Sequence, residues 1–244
     1  MGFEDDLAKV KKFYETDYVM STWEDALISF HLLDWHQPLN VWELGSGNGA
    51  WALLMDSLVY RDYQPEFHLV EDFSWSQDHR ANNQKWPKNP NELDQSIQYS
   101  TKQRSTRDLK YTHYLSTNSL PQNLDSKIDL LRFDCDVDDF EMVFDWIFRN
   151  ASEEFILLVD DIVPNVSLNR LLATQEQVRK GKLKMLWIGH DHGAWCSPQM
   201  NPDSIFQKLL GAKSLFKQLY IDSSLQFADH QHEYLVSRNI YRTY

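Results

Sequence analysis

The stretch Val41-Trp42-Glu43-Leu44-Gly45-Ser46-Gly47-Asn48-Gly49 decides how the rest of the chain is read. A short run fit for a buried strand passes straight into three glycines within five positions. Trp51, Leu54, Met55 and Leu58 then fall on one face of a helix. Glycine allows a tight turn, leaves a surface without Cβ atoms, and exposes the unpaired N–H groups of the helix that follows. A flat ligand can lie on such a turn. The spacing is acid-x-Gly-x-Gly-x-Gly, not the G-x-G-x-x-G with which dinucleotide enzymes seat a pyrophosphate. The chain holds 8 glycines in 244 residues, well under the roughly 7% usual for globular proteins, so the cluster is a deliberate use of a scarce residue.

Outward from the turn, strands and helices alternate. Upstream, the charged, tyrosine-rich stretch to Tyr18 reads as a short helix or arm. Ser21 and Glu24 form a capping box ahead of Trp23, Leu27, Phe30 and Leu33, and Pro38 ends that helix. Downstream, strands are expected at Phe67–Val70, Tyr111–Leu115, Ile128–Phe133, Phe155–Val159, Leu183–Ile188 and Tyr234–Ser237. Helices are expected around Phe140–Ile147, Ser167–Lys180 (closed by Gly181) and Pro202–Leu219. The pattern predicts a Rossmann-like, doubly wound α/β fold. Its sheet is mostly parallel, with one antiparallel strand near the C-terminus. A single domain spans 1–244, with an N-terminal helical segment over 1–37. Residues 75–107 break the rhythm: they lack glycine, are rich in polar residues, and carry a local charge of +3. They read as an insertion that clasps substrate or lies as a solvated loop.

Composition narrows the function classes. Hydrophobic residues at 42% and charged residues at 25% exclude a disordered or collagen-like chain. A net charge of −12 opposes binding to nucleic acid or an anionic membrane. The purest apolar run, Phe155–Val159, is far too short to span a bilayer. Cys135 and Cys196 have no metal or redox spacing, and no signal-peptide pattern is visible, so a reduced cytoplasmic setting is expected. Trp35, Trp42, Trp51, Trp146 and Trp187 occupy core periodicities. Trp75 and Trp86 lie in the polar segment and read as lid or contact residues.

Glu43-Leu-Gly45-Ser46-Gly47-Asn-Gly49 resembles the first motif of class I S-adenosylmethionine-dependent methyltransferases. The resemblance implies that the turn underlies the methionine and ribose parts of S-adenosylmethionine, with Glu43 fixing the loop or the ammonium. It also implies an acid after the next strand for the ribose hydroxyls. Glu71 and Asp72 stand there, with Glu71 preferred; Asn118 and Ser119, past the third strand, are candidates for the adenine edge.

Two acidic strand ends follow. Asp134-Cys-Asp136-Val-Asp138-Asp139-Phe140 succeeds one strand and Asp160-Asp161 the next. In a parallel sheet these ends share the carboxyl edge where ligands bind. Carboxylates converging there repel unless protonated or bridged by a cation, for which Mg²⁺, Ca²⁺ or Mn²⁺ are suited. Asp138 or Asp139 is also placed to cap the following helix. The pattern resembles the cation-dependent O-methyltransferases of the catechol and caffeoyl-coenzyme A type, and related sugar and macrolide enzymes. That resemblance implies Asp134, Asp160 and Asp161 as ligands of Mg²⁺ or another divalent cation that holds a substrate hydroxyl, with Asp134 among the catalytic residues. The chain departs from the pattern at Val137, where the family places Lys or His, and at Glu154-Phe155, where it places a glycine pair.

His190-Asp191-His192 follows the sixth strand. His190 or His192 can supply the missing base; together with Cys196 they form a weaker zinc pattern, and a polar surface loop is the plain alternative. The expectation is methyl transfer to an oxygen of a small-molecule acceptor. The alternatives are a metal-independent N-methyltransferase and a catalytically silent cofactor-binding interaction module. Partners other than the acceptor, and the oligomeric state, are not read from the sequence.

Overall fold

A computed structural model describes residues 3–16, 23–59, 62–73, 87–104, 107–135, 137, 139–162, 164–189, 192–211, 219–222, 226–227, 230–231 and 234–237. Two compact units divide the chain, Met1–Ser126 and Lys127–Tyr244. Ser21, Trp75, Trp86, Asp136, Asp138 and His190 lie outside the described residues.

In the first unit the elements run α1 (Phe3–Thr16), α2 (Trp23–His36), β1 (Asn40–Leu44), α3 (Ala50–Leu58), β2 (Glu66–Val70), α4 (Pro90–Arg104) and β3 (Tyr111–Tyr114). The strands are parallel in the order β3-β2-β1, with Leu44 beside Val70 and Val70 beside Tyr114. Helix α2 is buried without interruption from Asp25 to Leu33, carrying Ser29 and His31 inside with its apolar residues. Trp42 stacks on its cross-strand neighbour His68 at 4.4 Å between ring centroids. Burial lowers the pKa of His68, so the pair acts as apolar packing.

Helix α4 was not anticipated. It occupies half of the segment read as an insertion, and its buried stripe is short: Leu93, Ile97, Ser100 and Thr101. Two of those four are polar, so hydrophobic periodicity gives little signal. Asn89 caps it, exchanging hydrogen bonds with Glu92 through its own side chain.

In the second unit the elements are β4 (Ile128–Phe133), α5 (Phe140–Asn150), β5 (Ala151–Val159), α6 (Pro164–Arg179), β6 (Lys184–Ile188), β7 (Gly193–Cys196), α7 (Asp203–Gly211), β8 (Leu219–Asp222), β9 (Gln226–Phe227), β10 (His230–Gln231) and β11 (Tyr234–Ser237). The strand order is β4-β5-β7-β6-β11-β8, with β9 and β10 paired separately. β4 and β5 are parallel, as are β6 and β11; β8 runs antiparallel to β11. This is the mostly parallel sheet expected, with antiparallel pairing toward the C-terminus. β7 adds to it: four residues, antiparallel to both β5 and β6, in a place read as loop.

Several local expectations hold. Asp139 caps α5, its carboxylate accepting the Met142 N–H at 3.0 Å. Gly181 closes α6 at φ 69. Trp42, Trp51, Trp146 and Trp187 are buried, and so is Trp195. Cys196 is buried in β7, where desolvation pushes its thiol up to about 12. No helix among the described residues is long and apolar enough to cross a membrane.

Candidate functional site

In the first unit, Gly45, Gly47 and Gly49 all adopt left-handed backbone, at φ 85, 55 and 75. This is the conformation that side chains disfavour and glycine adopts freely. Because Leu44 pairs with Val70, the chains leave β1 and β2 side by side. The N–H groups of Gly45 and Ser46 both donate to the Val70 carbonyl, at 2.9 and 3.1 Å. Gly49 is the residue before α3, and the Asn48 side chain accepts the Ala50 N–H at 3.1 Å. A Cβ on Gly49 would lie 3.0 Å from Ile97 of α4. Its absence therefore admits a helix.

Glu71, the first residue after β2, reaches the turn. Its carboxylate accepts the Gly47 N–H at 2.6 Å and the Phe73 N–H at 3.1 Å. Burial raises its pKa above 4.5; the two N–H groups work against that rise and the charge of Asp72 adds to it. Phe73 is left-handed at φ 58 without being glycine. Ser46 is buried, and its hydroxyl has no hydrogen-bond partner among the described residues. Glu43 is buried at the end of β1. Asp72 and Asn118 are exposed. Ser119 lies in a single 3-10 turn, Thr117–Ser119, and its hydroxyl bonds with the backbone of Ser116.

The second unit brings its acids together by register. Phe133 pairs with Val159, so Asp134 and Asp160 are the next residues on two parallel strands, and the Asp160 N–H donates to the Phe133 carbonyl at 3.0 Å. Val159 also pairs with Gly193 at the start of β7, which sets His192 beyond the same strand end. The His192 Nε2 lies 2.5 Å from Asp160 Oδ1. Gly193 is required by Trp195, whose ring would stand 2.5 Å from a Cβ there.

Two arginines that the sequence reading did not single out complete this cluster. Arg132 Nη2 lies 2.7 Å from Asp134 Oδ2 and also contacts Asp160 Oδ2. Arg170 Nη1 lies 3.5 Å from Asp134 Oδ1 and 3.7 Å from Asp161 Oδ2, and donates to the Asp160 carbonyl at 3.0 Å. Both arginines are buried, as is Asp160. Burial works to raise Asp160, but the His192 imidazole and the Arg132 guanidinium overcome it and hold this carboxyl well below the usual range. Burial raises Asp134 and, helped by the neighbouring Asp160 charge, outweighs the pull of Arg132 and Arg170, leaving this carboxyl well above its ordinary value. Asp161 is left-handed at φ 55, a conformation that aspartate tolerates better than most residues.

The fold thus unites Gly45, Ser46, Gly47, Gly49 and Glu71 in one unit, and Asp134, Asp160, Asp161 and His192 in the other. Among the described residues, no group of three or more His, Cys, Asp or Glu is placed to hold a metal ion. The carboxylates assigned to a cation by resemblance face guanidinium groups instead. Arg132 carried a readable signal: a charge two residues before Asp134, set among Leu130, Leu131 and Phe133 in a strand, must find a partner. Arg170, on α6, carried none.

Neither a protein-family model nor a curated protein matches the chain. Solved structures do match its fold. A methyltransferase from Geobacter sulfurreducens is 11% identical, with a TM-score of 0.51 over 80% of this chain and 90% of its own. An O-methyltransferase from Bacillus cereus in complex with SAH is 12% identical, with a TM-score of 0.50 over 80% of this chain and 89% of its own. The cofactor-bound Rv0187 from MTB is 14% identical, with a TM-score of 0.51 over 81% and 89%. The chain has the Rossmann-like fold of these structures.

Proposed function

We propose that the protein transfers a methyl group from S-adenosylmethionine to an oxygen of a small molecule. One observation carries this reading: a turn of three left-handed glycines is tied to a buried acid, Glu71, at the end of the neighbouring strand. The residues fit the cofactor. The turn offers backbone without side chains, the buried Ser46 hydroxyl lacks a partner among the described residues, and the Glu71 carboxylate has lone pairs left to accept ribose hydroxyls. S-adenosylmethionine supplies a methyl group made electrophilic by its sulfonium. Glu43, Gly45, Gly47 and Gly49 shape the loop, Asp72 borders it, and Asn118 and Ser119 remain the assignments for the adenine edge. His192, held through Nε2 by Asp160, is assigned to take the proton of the acceptor hydroxyl, the step that makes the oxygen nucleophilic. No step is routed through a divalent cation.

Calorimetry with S-adenosylhomocysteine tests the reading. Wild type is expected to bind, and Gly47→Trp, which fills the turn, is expected to lose binding. A wild type that fails to bind sinks the proposal.

A further inference from the structure

We propose that Arg132 and Arg170 stand where a divalent cation would stand, so that the acidic edge of Asp134, Asp160 and Asp161 is closed by guanidinium groups and takes no metal. The inference rests on the donor set and its charges and holds whether or not the chain transfers methyl groups.

A metal at this edge would need the carboxylate oxygens of three residues converging on one point with their lone pairs free. Here both oxygens of Asp134 and of Asp160 are already engaged, and one oxygen of Asp161 lies 3.7 Å from Arg170. The Arg132 Nη2 bridges Asp134 Oδ2 and Asp160 Oδ2, joining two carboxylates from adjacent strand ends as a bridging ion does. The second oxygen of Asp160 accepts the Asp161 N–H at 2.7 Å and meets His192 Nε2. The second oxygen of Asp134 faces Arg170 Nη1, and that same nitrogen touches Asp161 and the Asp160 carbonyl. A single arginine nitrogen therefore contacts all three residues of the anticipated ligand set.

Charge leads to the same conclusion. Three carboxyl groups face two guanidinium groups, so the acids already have internal counter-charge. Arginine keeps its charge at every accessible pH. A divalent ion entering beside two buried, permanent cations would be repelled at close range, with the carboxyls of Asp134 and Asp160 already committed to them. Val137 agrees with this arrangement: no Lys or His is added to the turn when two arginines already crowd it.

Mn²⁺ titrated into the full chain, followed through the electron paramagnetic resonance of the free aquo ion, decides the question. The free-ion signal is expected to grow as in buffer, and the thermal midpoint is expected to be the same in EDTA and in Mg²⁺. Stoichiometric loss of the signal in wild type, abolished in Asp161→Ala, would overturn the proposal. Asp161 is chosen because it is the most exposed of the three acids and its removal leaves the Arg132 bridge intact. A second variant, Arg170→Gln, removes one internal cation. It is expected to gain at least tenfold in Mn²⁺ affinity and a Mn²⁺-dependent rise in thermal midpoint. A folded Arg170→Gln protein with no gain counts against the arginine as the stand-in.

Discussion

The glycine turn after β1 and the acidic edge after β4 and β5 are built by opposite means. At the turn, shape comes from backbone: three positive φ values, each at a glycine, and the main-chain N–H groups of Gly45, Ser46 and Gly47 donating to the Val70 carbonyl and the Glu71 carboxylate. At the acidic edge, shape comes from side chains, with register bringing Asp134, Asp160 and His192 together and two arginines neutralising them. A backbone-built site announces itself in a local motif. A side-chain-built site depends on partners far away in sequence, so its local motif can be present while its chemistry has changed.

If the acidic edge is held by side-chain charge, breaking it should cost the most. Asp160→Ala leaves Arg132 and His192 buried beside a missing carboxylate, and a loss of about 3–5 kcal/mol in urea denaturation is expected. A loss under about 1 kcal/mol would mean that water already reaches the cluster. Gly193→Ala tests the register that supplies His192. The new methyl group collides with the buried Trp195 ring, and overpacking of this kind costs about 1–3 kcal/mol. The near-ultraviolet circular dichroism of the tryptophans should shift with it.

The turn should respond more mildly and through φ. Gly49→Ala places a side chain in left-handed backbone, at roughly 1–2 kcal/mol, and 3.0 Å from Ile97. Measured against Ile97→Ala, which removes both side-chain atoms nearest the new Cβ, the double variant Gly49→Ala, Ile97→Ala should recover only part of that loss. Full recovery would show that packing against α4, not backbone, sets the glycine. The smallest effect is expected at Glu71. Its folded pKa lies above 4.5, so its contribution is complete below that pH and fades as pH rises through the folded value. Glu71→Gln removes this slope while its amide oxygen still accepts the Gly47 N–H. Urea melts at pH 4 and pH 7 should therefore show wild type losing ground to the variant at the higher pH. Parallel curves would place Glu71 in water.

The sequence made the β1–turn–α3 unit legible because strand, glycine spacing and helix periodicity are all local signals there. Asp139 as a cap and Gly181 as a helix end were legible for the same reason. Helix α4 was not, since half of its buried stripe is Ser100 and Thr101. β7 was not, since four residues beginning at a glycine give too few alternations to distinguish from a turn. At the acidic edge, the types and spacing of Asp134, Asp160 and Asp161 were visible, but the identity of their counter-ions was not. Arg170 enters from α6, and only the fold brings it within reach.

The hydrogen bond from Gly47 to Glu71 also has a thermodynamic consequence. A loop pinned at its centre by a buried carboxylate has already surrendered its conformational freedom when the chain folds. A molecule arriving at the turn meets a preorganised surface and need not immobilise it. Its association should then show a smaller entropic penalty than capture by a floppy glycine loop would, and affinity at this place becomes a matter of fit instead of ordering.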